Sequence, residues 1–265
     1  MQYLMESQHK SYYGSPFQAL CAVFLLGFSQ ISLAQTRDST LFFRAGISVT
    51  QNGFSFIPSF SLGKPAVFLE PSIGNRRLSF EPQLRFSIKG KPWSFIFIYR
   101  YQVRPDKRFR IQIGAHVPAL VFTTEPVIRN GATEDVIVTS RFLAAELIPD
   151  YVLSKRVRVG MYLLRGHGLD KGGTKDAYFV GLRSQFTNVH ILRRFYLRFI
   201  PQFYYLKTDD KDGIYATTTL TLAYKTFPIS IANIINKAID SNVPGKDFDW
   251  NVSLVYSFDR TYVRN

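Results

Sequence analysis

Between Leu78 and Val103 the chain alternates apolar and polar residues almost without error. Leu78, Phe80, Pro82, Leu84, Phe86 and Ile88 fall on one parity, and Ser79, Glu81, Gln83, Arg85, Ser87 and Lys89 on the other. After Gly90-Lys91-Pro92 the pattern resumes, with Trp93, Phe95, Phe97, Tyr99, Tyr101 and Val103 against Ser94, Arg100 and Gln102. Successive side chains of a strand point to opposite faces, so a two-residue period specifies β-structure and excludes an amphipathic helix. Each segment is about twice the usual globular strand of roughly 5–6 residues and long enough to cross a bilayer at a tilt. The pattern predicts an all-β, transmembrane, antiparallel up-and-down barrel.

The N-terminus reads as an export signal. Ala19 to Phe28 is an apolar run too short for a membrane helix, and Ser32-Leu33-Ala34 is a small-x-small cleavage pattern. Residues 1–34 are therefore expected to be a signal peptide, with translation starting at Met1 or Met5, and 35–265 the barrel domain. The single cysteine, Cys21, lies inside the apolar run, where a lipid-attachment site would not place it. The expected mature chain has no thiol, which removes disulfides, cysteine catalysis and Cys-ligated metals.

No later stretch approaches the 18 or so apolar residues of a membrane helix. A membrane chain without such helices must close into a barrel, because lipid leaves unpaired backbone groups unsatisfied. The formal charge of +14 could serve nucleic acid. The basic residues, however, are scattered singly along strands, and export removes such a partner.

Thirteen strand candidates follow: 41–50, 54–62, 66–73, 78–89, 92–103, 108–117, 138–153, 156–165, 176–186, 194–207, 213–225, 228–237 and 248–258. Single-chain barrels have even strand numbers, and twelve are expected, with ten or fourteen as alternatives. If the last strand ends in the periplasm, the long connections 118–135, 166–175, 207–212 and 238–247 fall outside and the short ones inside. The surplus then lies near 66–73, or at 229–239, which also fits a helical stripe. Five apolar-x-Pro-x-apolar repeats, centred on Pro58, Pro71, Pro82, Pro149 and Pro201, count against strands, since proline removes a ladder hydrogen bond; bulges could accommodate them.

The chain resembles small outer-membrane β-barrels of the Bacteroidota type. The resemblance is carried by the leader ending Leu33-Ala34-Gln35, by FEPQLRF (80–86), PWSFIFIYRY (92–101) and WNVSLVYSF (250–258). It implies architecture and an outer-membrane location, and no particular activity.

With the apolar face toward lipid, parity turns Arg44, Arg85, Arg100, Arg108, Arg110, Arg158, Arg183, Arg194 and Arg198 into the lumen, with Glu70, Glu81, Glu146 and Asp150. Trp93, Tyr99, Tyr101, Tyr205, Trp250, Tyr256 and Phe258 fall near strand ends, where interfacial aromatic girdles sit. Fixed positive charge in a low-dielectric wall attracts anions. The same residues could instead fill the lumen with arginine–carboxylate networks. Arginines outnumber inward carboxylates roughly two to one, a surplus that calls for water or an anionic ligand.

Three functions remain open: a narrow, anion-preferring channel without enzymatic activity; an accessory barrel of a surface or secretion complex; and a lipid-modifying enzyme. The expected partners are outer-membrane lipid and a small anionic solute. Against the enzyme, His116, His167 and His190 lack the His-x-Ser spacing of barrel lipases. No cofactor is expected. The glycine-rich stretch 166–173 lacks the strand–loop–helix context of a phosphate cradle. The 209–213 run (DDKDG) lacks the closing glutamate of a calcium loop, so no metal is expected either.

Overall fold

A computed structural model of the chain describes residues 40–105, 108–129, 132–171, 173–192 and 194–263. The expected signal peptide and Cys21 lie outside the described residues. Twelve antiparallel strands close into a barrel: β1 (Thr40–Thr50), β2 (Ala66–Gly74), β3 (Leu78–Ser87), β4 (Pro92–Gln102), β5 (Phe109–Arg129), β6 (Ala132–Val152), β7 (Val157–Gly168), β8 (Asp176–Leu192), β9 (Phe195–Thr208), β10 (Lys211–Tyr224), β11 (Ile229–Ser241) and β12 (Phe248–Val263). Each strand pairs with its sequence neighbours, and β1 closes on β12 from Leu41↔Tyr262 to Thr50↔Ser253. Closure gives every strand a partner on both sides, except where the β5–β6 hairpin runs past its neighbours beyond Val121 and before Phe142 and pairs only with itself.

Two strand assignments change. Residues 54–62 form no strand; they belong to the 51–65 connection, which holds a single 3₁₀ turn at Pro58–Phe60. The surplus thirteenth strand is therefore this segment, while 66–74 is the genuine β2. Its aromatics mimic strand alternation but pack inward instead. Residues 229–239 lie in β11, so the helical alternative is also excluded. The expected outer loop 118–135 is instead mostly ladder, because β5 and β6 run 21 residues each. At roughly 3.3 Å per residue this hairpin is about 70 Å long, far longer than a bilayer crossing.

The faces are sorted as the alternation predicts. In β1, Leu41, Ile47 and Val49 are exposed on the outer wall while Ser48 and Thr50 are buried inside. In β11 and β12, Ile231, Ile239, Val252 and Leu254 face out, and Asn236, Asn251 and Ser253 face in. An apolar exterior around a polar interior is the arrangement a barrel wall in lipid requires. One end carries the connections 51–65 and 169–175, the β5–β6 hairpin tip and 242–247; the other carries short turns and the ends of β1 and β12.

The prolines are absorbed one seam at a time. Pro149 keeps its β5 partner Ile111, but β6–β7 pairing is interrupted between Leu147↔Leu163 and Asp150↔Gly160. Pro201 keeps Thr218, and β8–β9 pairing lapses between Arg183↔Gln202 and Phe186↔Phe199. The missing N–H therefore costs pairing with one neighbour and spares the other. Between β2 and β3 the ladder skips from Leu69↔Leu84 to Ile73↔Phe80, which sets Pro71 opposite Pro82. Pro58 lies in the 3₁₀ turn, where the missing donor costs nothing.

Candidate functional site

The barrel interior is organised in three levels. At the loop end, connection 51–65 folds across the mouth and is tied to several walls. Trp93 Nε1 donates to the Phe60 carbonyl at 2.8 Å, and Phe60 packs on Phe142 with ring centroids 5.2 Å apart. Asn52 Nδ2 donates to Asp249 Oδ1 at 2.7 Å. Phe56 sets its edge against Phe179 and Tyr204, at 6.2 and 5.8 Å. Those rings continue a stack along β8, β9 and β10: Phe179 on Tyr204 at 4.7 Å, and Tyr204 on Tyr215 at 4.8 Å. Tyr204 donates to Asn236 Oδ1 at 2.9 Å, and Tyr215 shares a 2.6 Å hydrogen bond with Ser241. Burying such rings with their hydroxyls satisfied gives the loop a packed seat on the wall.

Trp93 is a correction. Alternation assigned it to the lipid interface, but it is 3% exposed and points inward. The register explains the reversal. Arg85 pairs with Ser94 while Phe86 pairs with Pro92, so Trp93 is the extra residue of a bulge, and a bulge re-aims its side chain. The other six expected interface aromatics, Tyr99, Tyr101, Tyr205, Trp250, Tyr256 and Phe258, occupy outward rows of the register. Four of them, Tyr99, Tyr205, Trp250 and Tyr256, are among the exposed large side chains.

The middle level centres on Glu146, whose side chain is fully buried. Its Oε1 accepts from Arg100 Nε at 2.5 Å, and its Oε2 accepts from Tyr162 at 2.7 Å and contacts His116 Nε2 at 3.1 Å. Arg100 Nη1 also bonds Glu81, which accepts from Ser79 at 2.6 Å. The carboxylate finds room because its cross-strand partner is Gly114, where a Cβ would collide with it. Asp150 lies over Gly160 on β7 in the same way.

The third level, four residues nearer the turn end on β6, surrounds Asp150. Arg183 Nη2 lies 3.5 Å and Arg158 Nη1 3.9 Å from it, and Arg110 is its cross-strand partner. Beyond it a cavity of about 520 Å³ opens between Arg76, Gln102, Pro105 and Arg110. The remaining expected lumen residues are dispersed. Arg85 bonds Gln83 at 2.7 Å and lies 5.5 Å from both the Phe68 and Trp93 rings, near the loop seat. Arg44 pairs with Asp259 at 3.1 Å near the turn end. Glu70 and Arg198 fall on inward rows opposite Gly46 and Thr221.

Sequence reasoning missed Tyr162, His116 as a buried partner of Glu146, and the loop seat built from Tyr204, Tyr215 and Asn236. Parity on β5 and β7 carried the first two; nothing local announces that 54–60 turns inward. The three histidines are not brought together. His116 is inside, His167 pairs with Asp176 at 3.2 Å on the outer wall, and His190 lies beside the β8–β9 turn. The 209–213 carboxylates tie loops together: Asp209 accepts from the Lys175 and Asp176 amides at 2.8 Å each, and Asp212 from Tyr205 at 2.9 Å.

The architecture is that of outer-membrane β-barrels. No protein-family model and no curated protein matches the sequence. Among solved structures, the KdgM porin superposes with a TM-score of 0.50 at 10% identity, covering 81% of this chain and 99% of that one. The KdgM porin in complex with disordered oligogalacturonate gives 0.49 at 10% identity, over 83% and 99%. LpxR from Salmonella typhimurium gives 0.44 at 11% identity, over 81% and 99%. At such identity the likeness is one of fold.

Proposed function

We propose that this chain is a non-enzymatic outer-membrane channel, narrowed at its outer mouth by connection 51–65 and preferring small anions. The observation that carries the reading is the placement of both Arg158 and Arg183 beside the single carboxylate of Asp150. Two guanidinium groups against one carboxylate leave a net positive lining, which raises the local concentration of anions. Anionic solutes such as the oligogalacturonate held by the KdgM porin are the class such a lining would admit. The loop end faces the cell exterior in this reading, because long connections belong outside and short turns to the periplasm. Cleavage after Ala34 and a Bacteroidota origin complete the proposal.

Planar-bilayer recordings of the refolded protein test it. Anion-preferring conductance is expected, with the reversal potential moving toward cations in Arg158→Gln/Arg183→Gln. A wild type without conductance, or one preferring cations, would refute the channel.

A further inference from the structure

On the outer wall, beside the loop end, a short row of side chains is matched to neither lipid tails nor protein. Arg165 on β7 pairs across the ladder with Tyr178 on β8, and Tyr178 with Lys207 on β9. All three are exposed, and the Arg165 guanidinium lies 5.5 Å from the centre of the Tyr178 ring. One register step toward the turn end, the outward row becomes apolar with Leu163 and Val180. One step the other way, His167 and Asp176 satisfy each other. Among the described residues neither Arg165 nor Lys207 makes an ion pair. Asp212, opposite Lys207 in register, accepts from the Tyr205 hydroxyl and is the one carboxylate in the row. Arg141, also outward, is held by Asp170 at 2.6 Å. Two cations that form no ion pair thus flank an amphipathic ring where the wall turns from apolar to polar.

We infer that Arg165, Tyr178 and Lys207 form a docking site for the phosphate of an outer-leaflet lipid. The inference rests on the proposed membrane setting and orientation. The two cations, set against the single carboxylate of Asp212, give the row a positive balance. A phosphate offers oxygens to a guanidinium fork and an ammonium. The tyrosine sits at headgroup level, and acyl chains lie along Leu163 and Val180. A charged side chain on the lipid face is tolerated only near the interface, which is where an anionic headgroup meets it.

Native mass spectrometry of the refolded full chain in detergent tests the site, with diphosphoryl lipid A, its dephosphorylated form and inorganic phosphate as probes. Wild type is expected to retain the diphosphoryl lipid. Arg165→Gln/Lys207→Gln should bind it about thirtyfold more weakly, and Arg141→Gln should match wild type. Heat-modifiable gel migration checks that each variant is folded, and the single Lys207→Gln variant gives an intermediate loss if the double variant fails to fold. Equal retention of the dephosphorylated lipid, or undiminished binding by a folded variant, would overturn the assignment. Displacement by inorganic phosphate would make this a soluble-anion site and overturn it as well. Conductance should be unchanged in the double variant, because both side chains lie outside the lumen. A wild type that binds lipid but does not conduct therefore refutes the channel alone.

Discussion

Glu146 shows how one residue can organise the interior. Its carboxylate gathers an arginine, a histidine and a tyrosine from β4, β5 and β7. Without Glu146, Tyr162 and His116 lose their acceptor while Arg100 keeps Glu81. Glu146→Ala is therefore expected to lower unfolding stability, by less than the about 3–5 kcal/mol of a fully broken buried pair, measured by urea titration in detergent. Glu146→Gln should lose less, because it retains a hydrogen-bond acceptor. A Gly114→Ala substitution should mimic the alanine variant, since the added Cβ occupies the space the carboxylate needs. The inward parity of Arg100, Glu81 and Glu146 is readable from sequence. That they meet is not, because the contact depends on which residues stand opposite one another across three strands.

At the scale of elements, connection 51–65 is the part that alternation misrepresents. Phe54, Phe56 and Phe60 repeat like strand residues, yet they follow the packing available inside the mouth rather than a ladder. Phe56→Ala/Trp93→Ala removes two anchors of the loop seat and is expected to raise single-channel conductance. Unchanged conductance would mean that the loop does not set the narrowest point. The strands themselves are legible wherever parity holds, and the interpretation fails where a bulge intervenes. At Trp93 one extra residue reverses the face, and no local signal distinguishes that residue from its neighbours. A second element is pinned electrostatically. The Asp170 carboxyl accepts from the Arg141 guanidinium and backbone amide, which holds its pKa below the usual carboxylate value. A depressed folded pKa gives stability that is present above the unfolded value, near 4, and is lost as pH falls through the folded one. Amide exchange in loop 169–175 should therefore be slower at pH 6 than at pH 3 after correction for intrinsic rates.

For the molecule as a whole, the alternation of Leu78–Val103 and the strand lengths were sufficient to anticipate a closed wall with its apolar face outward. Strand number came out even because β1 must find β12, a long-range constraint that no local window contains. The wall should resist detergent at room temperature and migrate differently on gels before and after boiling; identical migration would contradict a closed barrel. The ring is not uniform, however. Where Pro71 faces Pro82, the β2–β3 junction lacks donors on both sides at once. A cylinder sewn by a continuous row of stitches has two dropped ones here, directly opposite each other. Strain from lateral pressure or thinning of the surrounding bilayer should concentrate at this point. In deuterium labelling, backbone amides flanking 70–72 and 81–83 should exchange ahead of those in β9 and β10. Pro82→Val, restoring one stitch, should delay that exchange and raise the temperature at which the barrel opens.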